Sequence, residues 1–456
     1  MNDRISPLDA AHAQARRFLD GLDARPVWPT ASYEEMLAAL GGPLPEDGAD
    51  ADEVVETLAR TADPGLAAIA GGRFFGFVIG GALPAALGAD WLTSIWDQNG
   101  ALTSLTPAAA AAEQTAGRWI VEALGLPTGT AAGLVTGGLM ANFTGLAAAR
   151  QRVLAEVGWD VAQRGLAGSP PIRLVVGALR HDTIDLAARY LGFGRDTLVL
   201  VDADDQGRMR PDALRTALTA GSGPTIVCLQ AGEVHTGAFD PFRELIPLAR
   251  EAGAWIHVDG AFGLWASASP RLSSLTAGIE DADSWATDAH KTLNVPYDCG
   301  VALVRDPGAL VAAFAIDADY IPGSGDDPMD LVPEFSRRAR GFPVWAALRS
   351  LGRSGLVSLV ETLVAHAQSF AERLSRLPGV EVVNDVAYTQ VMLRLETDAL
   401  TTEAGERILA EGTAVLTPAE WDGRAVLRCS VSSWATTEDD VERTVAAVER
   451  VLADLR

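Results

Sequence analysis

Two short segments of this chain place ionisable side chains where strand-like runs end. Asp288-Ala289-His290-Lys291 closes an apolar run and precedes a turn at 294–296, and Asp259 ends the buried-strand pattern of 254–258. A lysine with apolar neighbours loses part of its hydration, and a desolvated amine is a nucleophile that forms Schiff bases with carbonyl groups. A solvated loop lysine is the alternative interpretation. The carboxylate of Asp259 favours the first, because a pyridinium nitrogen beside such a lysine requires an acidic partner.

The segments H-V-D-G-A at 257–261 and D-A-H-K at 288–291 resemble, in order and spacing, the group II amino-acid decarboxylases, which depend on pyridoxal phosphate (PLP). That family includes the aromatic amino-acid, glutamate and tyrosine decarboxylases. The resemblance extends from roughly Arg73 to the C-terminus. It implies the aspartate aminotransferase-like fold of PLP-dependent transferases (fold type I), an α/β fold with a mostly parallel sheet in a large domain and a small α+β C-terminal domain. It also implies a homodimer with the active site at the subunit interface.

The resemblance implies a role for each matching residue. Lys291 would hold PLP as a Schiff base, Asp259 would pair with the protonated pyridine nitrogen, and His181 would stack on the ring. These three are the expected catalytic residues, because a charged ring accepts electrons when a bond at Cα breaks toward a quinonoid. The other expected cofactor contacts are Gly137, Gly138, Leu139, Ala261 and His290, and the expected substrate contacts are Phe77, Val78 and Glu233.

Some of these residues have simpler interpretations. Without the resemblance, His181 is equally well a loop histidine, and the aromatic-glycine segment 73–81, which predicts a loop, could pack a domain interface. His257 is expected to be structural. Arg428 is either a carboxylate anchor or a structural arginine within a strand.

From residue 172 the chain alternates apolar runs with amphipathic segments. Strands are predicted at 172–177, 197–201, 225–230 and 255–258, and helices at 183–191, after Pro211 and from 240 to 253. Such alternation is typical of a mostly parallel sheet with helices on both faces, in which ligands bind beyond the carboxyl ends of the strands. We therefore expect His181, Asp259 and Lys291, which each follow a strand-like run, to converge.

The chain divides into three predicted parts: an N-terminal helical segment at 1–72, a large PLP-binding domain at 73–340 and a small C-terminal domain at 341–456. The first has predicted helices at 8–22 and 52–62 without an independent core, and the resemblance implies that it packs on the partner subunit. The last has a predicted long helix at 354–377, strands around 380–394 and 426–432, and further helices from Thr402 and Thr437.

Helix starts are marked by particular residue types. Thr106-Pro107 predicts a threonine cap followed by proline at the first helical position, and Thr437 with Asp440 resembles a capping box. Gly137-Gly138 leads into an alanine-rich helix, where backbone N–H groups and the helix dipole favour a phosphate. Leu139 and Met140 stand where the family usually has a hydroxyl residue and often a glutamate, so one side-chain contact to the phosphate is missing.

Two further departures from the family bear on the reaction. Glu233, in Gly232-Glu233-Val234-His235-Thr236, replaces a common Gly-Thr-Thr; it would repel a substrate carboxylate, bind a cationic side chain or tune the PLP phenolic oxygen. The family's catalytic loop supplies a tyrosine that protonates Cα after CO2 leaves. Here the matching stretch, from Tyr320 to 338, is shortened and has no tyrosine after Tyr320. His181 or His235 could donate the proton, or the reaction could divert to an aldehyde.

Composition limits the other classes of function. A net charge of −24 disfavours nucleic acid, and no apolar run reaches the roughly 20 residues of a membrane span. The N-terminus lacks the pattern of a secretory signal, and three widely spaced cysteines indicate neither a disulfide framework nor a metal site, so a cytoplasmic location is expected.

The sequence therefore predicts a PLP-dependent decarboxylase that converts an L-amino acid into an amine and CO2. The first alternative is another PLP reaction on the same fold: decarboxylation-coupled aldehyde formation, carbon–carbon lysis or transamination. The second is a non-catalytic PLP-binding or scaffold protein, which has no chemical need for both Lys291 and Asp259.

Overall fold

The computed structural model describes residues 5–316 and 327–455. Its helices are α1 Ser6–Gly21, α2 Tyr33–Leu40, α3 Ala51–Ala62, α4 Pro84–Trp96, α5 Pro107–Ala123, α6 Gly138–Ala155, α7 Val161–Arg164, α8 Asp182–Tyr190, α9 Pro211–Thr219, α10 Phe242–Glu251, α11 Pro307–Phe314, α12 Gly341–Leu374, α13 Asp398–Glu411 and α14 Glu438–Asp454. Its strands are β1 Ala131–Val135, β2 Arg173–Gly177, β3 Leu198–Val201, β4 Thr225–Gln230, β5 Trp255–Asp259, β6 Ser284–Asp288, β7 Gly300–Val304, β8 Glu381–Val382, β9 Gln390–Arg394, β10 Thr417–Trp421 and β11 Arg424–Ser430.

The large sheet has the strand order β1-β7-β6-β5-β4-β2-β3. The five strands from β6 to β3 run parallel, and β7 is antiparallel to both β1 and β6. The central strands β5 and β6 are buried along their whole length, as parallel strands covered on both faces are. The mostly parallel sheet that the sequence predicted is confirmed.

Helices cover both faces of this sheet. On β2, Val175 belongs to one core cluster, whereas its neighbours Leu174 and Val176 belong to another, because successive side chains of a strand point to opposite faces. The first core includes residues of α5, α10 and α12, and the second includes residues of α6, α8 and α11. The sheet is therefore a rigid middle layer whose strand ends carry the candidate site.

A second, antiparallel sheet follows α12, with the order β10-β11-β9-β8. It packs on α12, α13 and α14 through a separate core that includes Phe370, Ile408 and Val448. This arrangement is the small α+β unit expected from the C-terminal sequence.

Several local expectations need correction. The long C-terminal helix begins at Gly341 rather than Ser354 and ends at Leu374, and Gly352 interrupts it with a φ of 61°. The strand β10 and the helices α2 and α4 were not expected. Thr106 does not cap α5 with its side chain, since its hydroxyl donates to the carbonyl of Asn99 at 2.5 Å. The capping box of Thr437 and Asp440 is confirmed.

Candidate active site

Lys291 follows β6, and its Nζ lies 3.0 Å from Oδ2 of Asp288, the last residue of that strand. The side chain of Asp288 is 2% exposed and that of Lys291 is 22% exposed, so the pair is largely removed from water. Lys291 is also the only lysine among the 456 residues of the chain. Any Schiff base to a lysine side chain must therefore form here.

Asp259 ends β5, the strand next to β6, and is 5% exposed. Its Oδ1 accepts a hydrogen bond from the Ala261 amide at 3.2 Å, and the side chain of Asn142 supplies another. Burial raises the pKa of Asp259, and the positive charges of His181 and Lys291 oppose the rise. A buried carboxylate is stable only with a partner that compensates its charge, and a protonated pyridine nitrogen is one.

Asn142 belongs to a buried chain of hydrogen bonds that ends at Asp259. Trp255 donates from Nε1 to Ser284 Oγ at 2.9 Å, and this oxygen lies 2.8 Å from His257 Nδ1. His257 Nε2 lies 2.9 Å from Asn142 Oδ1. Because an amide oxygen only accepts, the proton of His257 sits on Nε2 and the Ser284 hydroxyl donates to Nδ1. The amide NH2 group of Asn142 is then available to donate to Asp259. The direction of each hydrogen bond in this chain is therefore fixed.

We expect His257→Gln to make the protein less sensitive to acid. Burial lowers the pKa of His257 from 6.5 to about 3. A folded-state pKa below the unfolded one gives stability that is present above pH 6.5 and lost as the pH falls toward 3. At about 1.36 kcal/mol per unit, the loss approaches roughly 4–5 kcal/mol. Glutamine does not titrate, and its amide can still donate toward Asn142.

Thermal unfolding midpoints at neutral and acidic pH measure this effect. The wild type should lose more on acidification than His257→Gln. Equal losses in the two proteins would show that His257 does not control acid stability.

The N-terminus of α6 lies beside His290 and Asp288. A Cβ added to Gly137 would be 3.3 Å from His290 Cε1, and one added to Gly138 would be 2.8 Å from Asp288 Oδ2. No side chain of the described residues caps this helix, so its first N–H groups are available to an anion. The backbone of these two glycines therefore forms a close cradle of the kind that a phosphate requires.

His290 completes this cradle. Its Nδ1 accepts a hydrogen bond from the Cys299 amide at 3.2 Å, and its Nε2 lies 3.6 Å from Asp288 Oδ1. Burial lowers the pKa of His290, against the opposing effect of Asp288. Asp288 Oδ1 is buried and has no hydrogen-bond partner among residues 5–316 and 327–455, so it can accept from a further donor. The residues present thus fit a group with an anionic phosphate, a carbonyl carbon and a ring nitrogen.

His181 lies at the start of α8, where its Nδ1 accepts a hydrogen bond from the Thr183 amide at 3.2 Å. Its side chain is exposed, and it is close enough to Asp259 to affect that carboxyl electrostatically. Ala261 lies beside the glycine cradle, 3.6 Å from the position of a Cβ on Gly138. The structure therefore brings His181, Asp259 and Lys291 together at the strand ends. Leu139, by contrast, packs at the edge of the core beneath α6.

Asn294 fixes the turn that carries Lys291, a role that the sequence did not reveal. Its side chain is buried and reaches three parts of the chain. It donates to the carbonyls of Lys291, Thr292 and Ser432 and accepts from the amides of Gly81 and Trp434, at distances of 2.6–3.2 Å. The position of the lysine is thus linked to the loop 73–81 and to the small sheet.

The loop 73–81 runs against the Lys291 turn. A Cβ on Gly80 would lie 2.1 Å from the Lys291 carbonyl oxygen, so only glycine fits there. Phe77 and Val78 have φ angles of 57° and 58°, a left-handed conformation that is costly for such residues. Phe77 is exposed, whereas Val78 is buried in the main core. Their contact with substrate stays a prediction.

A cleft of about 1040 Å³ opens beside His181, between the large and small sheets. It is lined by residues that follow β2, β3 and β4 and by residues of β10 and β11, among them His181, Glu233, His235, Trp421 and Arg428. We call it the His235 cleft. Phe77 and Val78 do not line it.

Glu233 is 2% exposed, and its oxygens are engaged by its own loop. Oε2 accepts from the amides of His235 and Thr236, both at 2.7 Å, and Oε1 lies 2.8 Å from His235 Nδ1. Arg428 donates from Nη1 to the Val234 carbonyl at 2.7 Å, and burial lowers the pKa of its guanidinium, against the opposing effect of Glu233. Glu233 lines the cleft, but both of its carboxylate oxygens are engaged, so the group that its carboxylate presents to the cleft is the ring of His235. Tyr320, the residue at which the shortened loop begins, lies outside the described residues.

Comparison with known proteins gives consistent results. The family model for the pyridoxal-dependent decarboxylase conserved domain matches residues 34–396. The aromatic-L-amino-acid decarboxylase of Bacillus atrophaeus is 28% identical, over 92% of this chain and 90% of that protein. The 4-hydroxyphenylacetaldehyde synthase of Rhodiola rosea is 27% identical, over 93% of this chain and 90% of that protein. A crystal structure of the Oryza sativa enzyme TDC with PLP and tryptamine matches with a TM-score of 0.92 and 25% identity, over 99% of this chain and 97% of that one.

In the part of the chain that the structure describes, none of the helices combines the length and the apolar character that crossing a bilayer requires.

Proposed function

This chain belongs to the pyridoxal-dependent decarboxylase family and is a carboxy-lyase with pyridoxal 5'-phosphate as its cofactor, and we propose that it converts an L-amino acid into the corresponding amine and CO2 at Lys291. One observation carries the proposal. The only lysine of the chain and a buried carboxylate, Asp259, lie at the ends of neighbouring parallel strands, next to an uncapped helix N-terminus. No simpler role accounts for all three features.

Each residue of the site has a distinct task. Bound PLP supplies an electron-withdrawing ring that stabilises negative charge at the substrate Cα. Lys291 Nζ, held 3.0 Å from Asp288 Oδ2, is the amine that would attack the carbonyl carbon of the cofactor. Asp259 would hold the proton of the ring nitrogen, and the N-terminus of α6 with His290 would hold the phosphate. His181 would cover the ring and exclude water.

A second candidate function is the formation of an aldehyde. The sequence contains no tyrosine between Tyr320 and Tyr388, and a relative with similar coverage is named 4-hydroxyphenylacetaldehyde synthase. If Cα is not protonated promptly after CO2 leaves, dissolved oxygen can oxidise it. Carbon–carbon lysis and transamination use the same cofactor residues but have no observation of their own in this chain.

The test is to incubate the PLP-loaded protein with L-tyrosine, L-tryptophan, L-glutamate and L-2,4-diaminobutyrate, separately and in air. These substrates represent aromatic, acidic and cationic side chains. The proposal expects an amine that lacks only the carboxylate of one of them. An aldehyde in its place would favour the second candidate, and a keto acid would indicate transamination.

We further propose that the protein is a homodimer, located in the cytoplasm. Helices α1, α2 and α3 contain no buried residues, although they carry large apolar side chains. Leu37, Leu40 and Leu58 are each more than half exposed, and α4 exposes Trp91 and Trp96. Apolar area on this scale is typical of a surface that a second subunit covers. The three cysteines are free and buried, as expected of a reducing compartment.

The dimer gives a direct prediction. Light scattering after size exclusion at micromolar concentration should report twice the chain mass of 47.8 kDa. Leu37→Glu combined with Leu58→Glu should shift the protein toward monomer, because it places charge on the apolar face. Arg60→Glu, on the same helix as Leu58, is the matched control. A wild type that is monomeric under these conditions would contradict the dimer.

This dimer is consistent with the proposed division into an N-terminal segment at 1–72, a PLP-binding domain at 73–340 and a C-terminal domain at 341–456. Support for a separate C-terminal unit comes from the core of the small sheet, whereas the first half of α12 packs in the core of the large sheet.

A further inference from the structure

We propose that His235, held by Glu233, is the catalytic acid that places a proton on Cα after the carboxylate leaves. The inference rests on the proposed decarboxylation and adds the donor that the sequence lacks where the family has its loop tyrosine. Glu233 is then a positioning residue, because it acts through His235.

The geometry of the pair fixes the histidine ring. Glu233 is almost fully buried, and its Oε2 accepts two hydrogen bonds, from the backbone amides of His235 and Thr236, both at 2.7 Å. This leaves Oε1 for His235 Nδ1, at 2.8 Å. A carboxylate only accepts, so Nδ1 carries a proton. Nε2 has no hydrogen-bond partner among the described residues, and the side chain is 28% exposed in the cleft that it shares with His181.

The loop that presents His235 is braced from both sheets. The Thr236 hydroxyl donates to the Gln206 carbonyl at 2.7 Å, and Asn384 of the small unit donates to the Thr236 carbonyl at 2.8 Å. Arg428, on β11, donates to the carbonyl of Val234. A group that must meet one carbon atom of a bound substrate benefits from such support, since small displacements reduce proton transfer strongly.

His181 is less suited to this task. Its Nδ1 lies 3.2 Å from the Thr183 amide nitrogen and 2.9 Å from the Thr183 hydroxyl, so its partners at the start of α8 are neutral groups. None of the carboxylates in the described part of the chain is hydrogen-bonded to the His181 ring, which suits a group that covers the cofactor. In His235 the doubly protonated ring keeps its hydrogen bond from Nδ1 to Glu233 Oε1.

Protonation of Cα by His235 conserves atoms and electrons. The bond from Cα to the carboxylate breaks, CO2 leaves, and the electron pair stays at Cα. The Nε2–H bond of His235 breaks and a Cα–H bond forms, which leaves neutral His235 still hydrogen-bonded to Glu233. A proton from water restores the cation, so the overall reaction consumes one proton for each CO2 released.

Two variants remove the donor in different ways. His235→Gln deletes the imidazole. In Glu233→Gln, the amide oxygen takes the place of Oε2, because two backbone N–H groups point there, and the amide NH2 group faces Nδ1. His235 Nδ1 must then accept, and the ring can no longer carry both protons. The two variants should therefore behave alike, and the double variant should be no worse than either.

The experiment uses the PLP-loaded full chain with whichever of the four amino acids named above gives CO2. It measures CO2, amine, aldehyde and oxygen uptake, in air and under argon. His366→Gln is the matched control, since His366 also pairs with a glutamate, Glu438 at 3.5 Å, but does not line the cleft. The visible absorption of bound PLP and circular dichroism report whether each variant is folded and loaded.

We expect both variants to bind PLP normally and to lose about 10²-fold or more in amine formation, the usual contribution of a general acid. In air, part of the CO2 should appear with aldehyde, ammonia, peroxide and matching oxygen uptake, while the wild type and His366→Gln give one amine for each CO2.

An unchanged ratio of amine to CO2 and an unchanged rate in loaded His235→Gln would overturn the inference and leave decarboxylation standing. Aldehyde as the main product of the wild type would overturn it as well. No CO2 from the wild type would overturn the proposed function, and this inference with it.

Discussion

The variant Lys291→Ala should release no CO2 above background from any amino acid. This is a loss in rate of at least about three orders of magnitude, or roughly 4 kcal/mol of transition-state stabilisation. The reason is both chemical and compositional. Lys291 is the only side-chain amine of the chain, so no neighbouring lysine can take its place. Its removal also leaves the buried carboxylate of Asp288 without the cation that lies 3.0 Å from it.

Borohydride reduction of the loaded protein followed by trypsin measures this directly. Attachment of pyridoxyl phosphate blocks cleavage at Lys291, so a single modified peptide spanning 272–305 should appear, because the nearest arginines are Arg271 and Arg305. Lys291→Arg is the matched control: it keeps a cation near Asp288 but cannot condense with an aldehyde. A modified N-terminus together with retained CO2 release in either variant would contradict the assignment.

Asp259→Asn should have the second largest effect, a loss on the order of 10²- to 10³-fold in CO2 release, similar to the removal of one preorganised electrostatic contact. Asparagine leaves the ring nitrogen without a negative partner, so the ring withdraws electrons less well. Asn142 and the Ala261 amide, which now donate to the carboxylate, would also face an amide with one acceptor fewer.

The pH dependence of cofactor binding is the measurement for Asp259. Burial raises the pKa of Asp259, so its carboxylate takes up a proton at a higher pH than an exposed one. As the pH falls through that value the wild type should lose PLP affinity, because the protonated acid no longer compensates the ring nitrogen. Asp259→Asn should bind weakly at every pH, without this transition. Asp240→Asn, which changes another buried aspartate whose carboxylate accepts from the amides of Met209 and Gln230, is the control. Parallel curves for the wild type and Asp259→Asn would argue against the charge partnership.

The sequence predicted those parts of the site that are local in the chain. Asp259 and Lys291 each end a strand-like run, and a parallel sheet brings such ends together whatever the intervening loops are. The alternation of strands and helices predicted the large sheet for the same reason. Short-range patterns and one topological rule were sufficient for both.

Contacts between distant segments could not be predicted in this way. Asn142 lies on α6 and meets Asp259 only through the fold, and Asn294 connects three segments through a single buried amide. Nor does a sequence pattern show that Glu233 points into its own loop and holds His235. β10 was missed because Thr417–Trp421 contains a proline and a glutamate, residues that are rare in strands, and its pairing with β11 decides its conformation.

Decarboxylation at Lys291 is best tested by the release of labelled CO2 from carboxyl-labelled L-amino acids by the PLP-loaded wild type, compared with Lys291→Ala. We predict CO2 from at least one amino acid, in proportion to a matching product that lacks the carboxylate, and none from the variant. Bound PLP on Lys291 without any CO2 above the variant's background would contradict this function and would leave another PLP reaction as the function of this site.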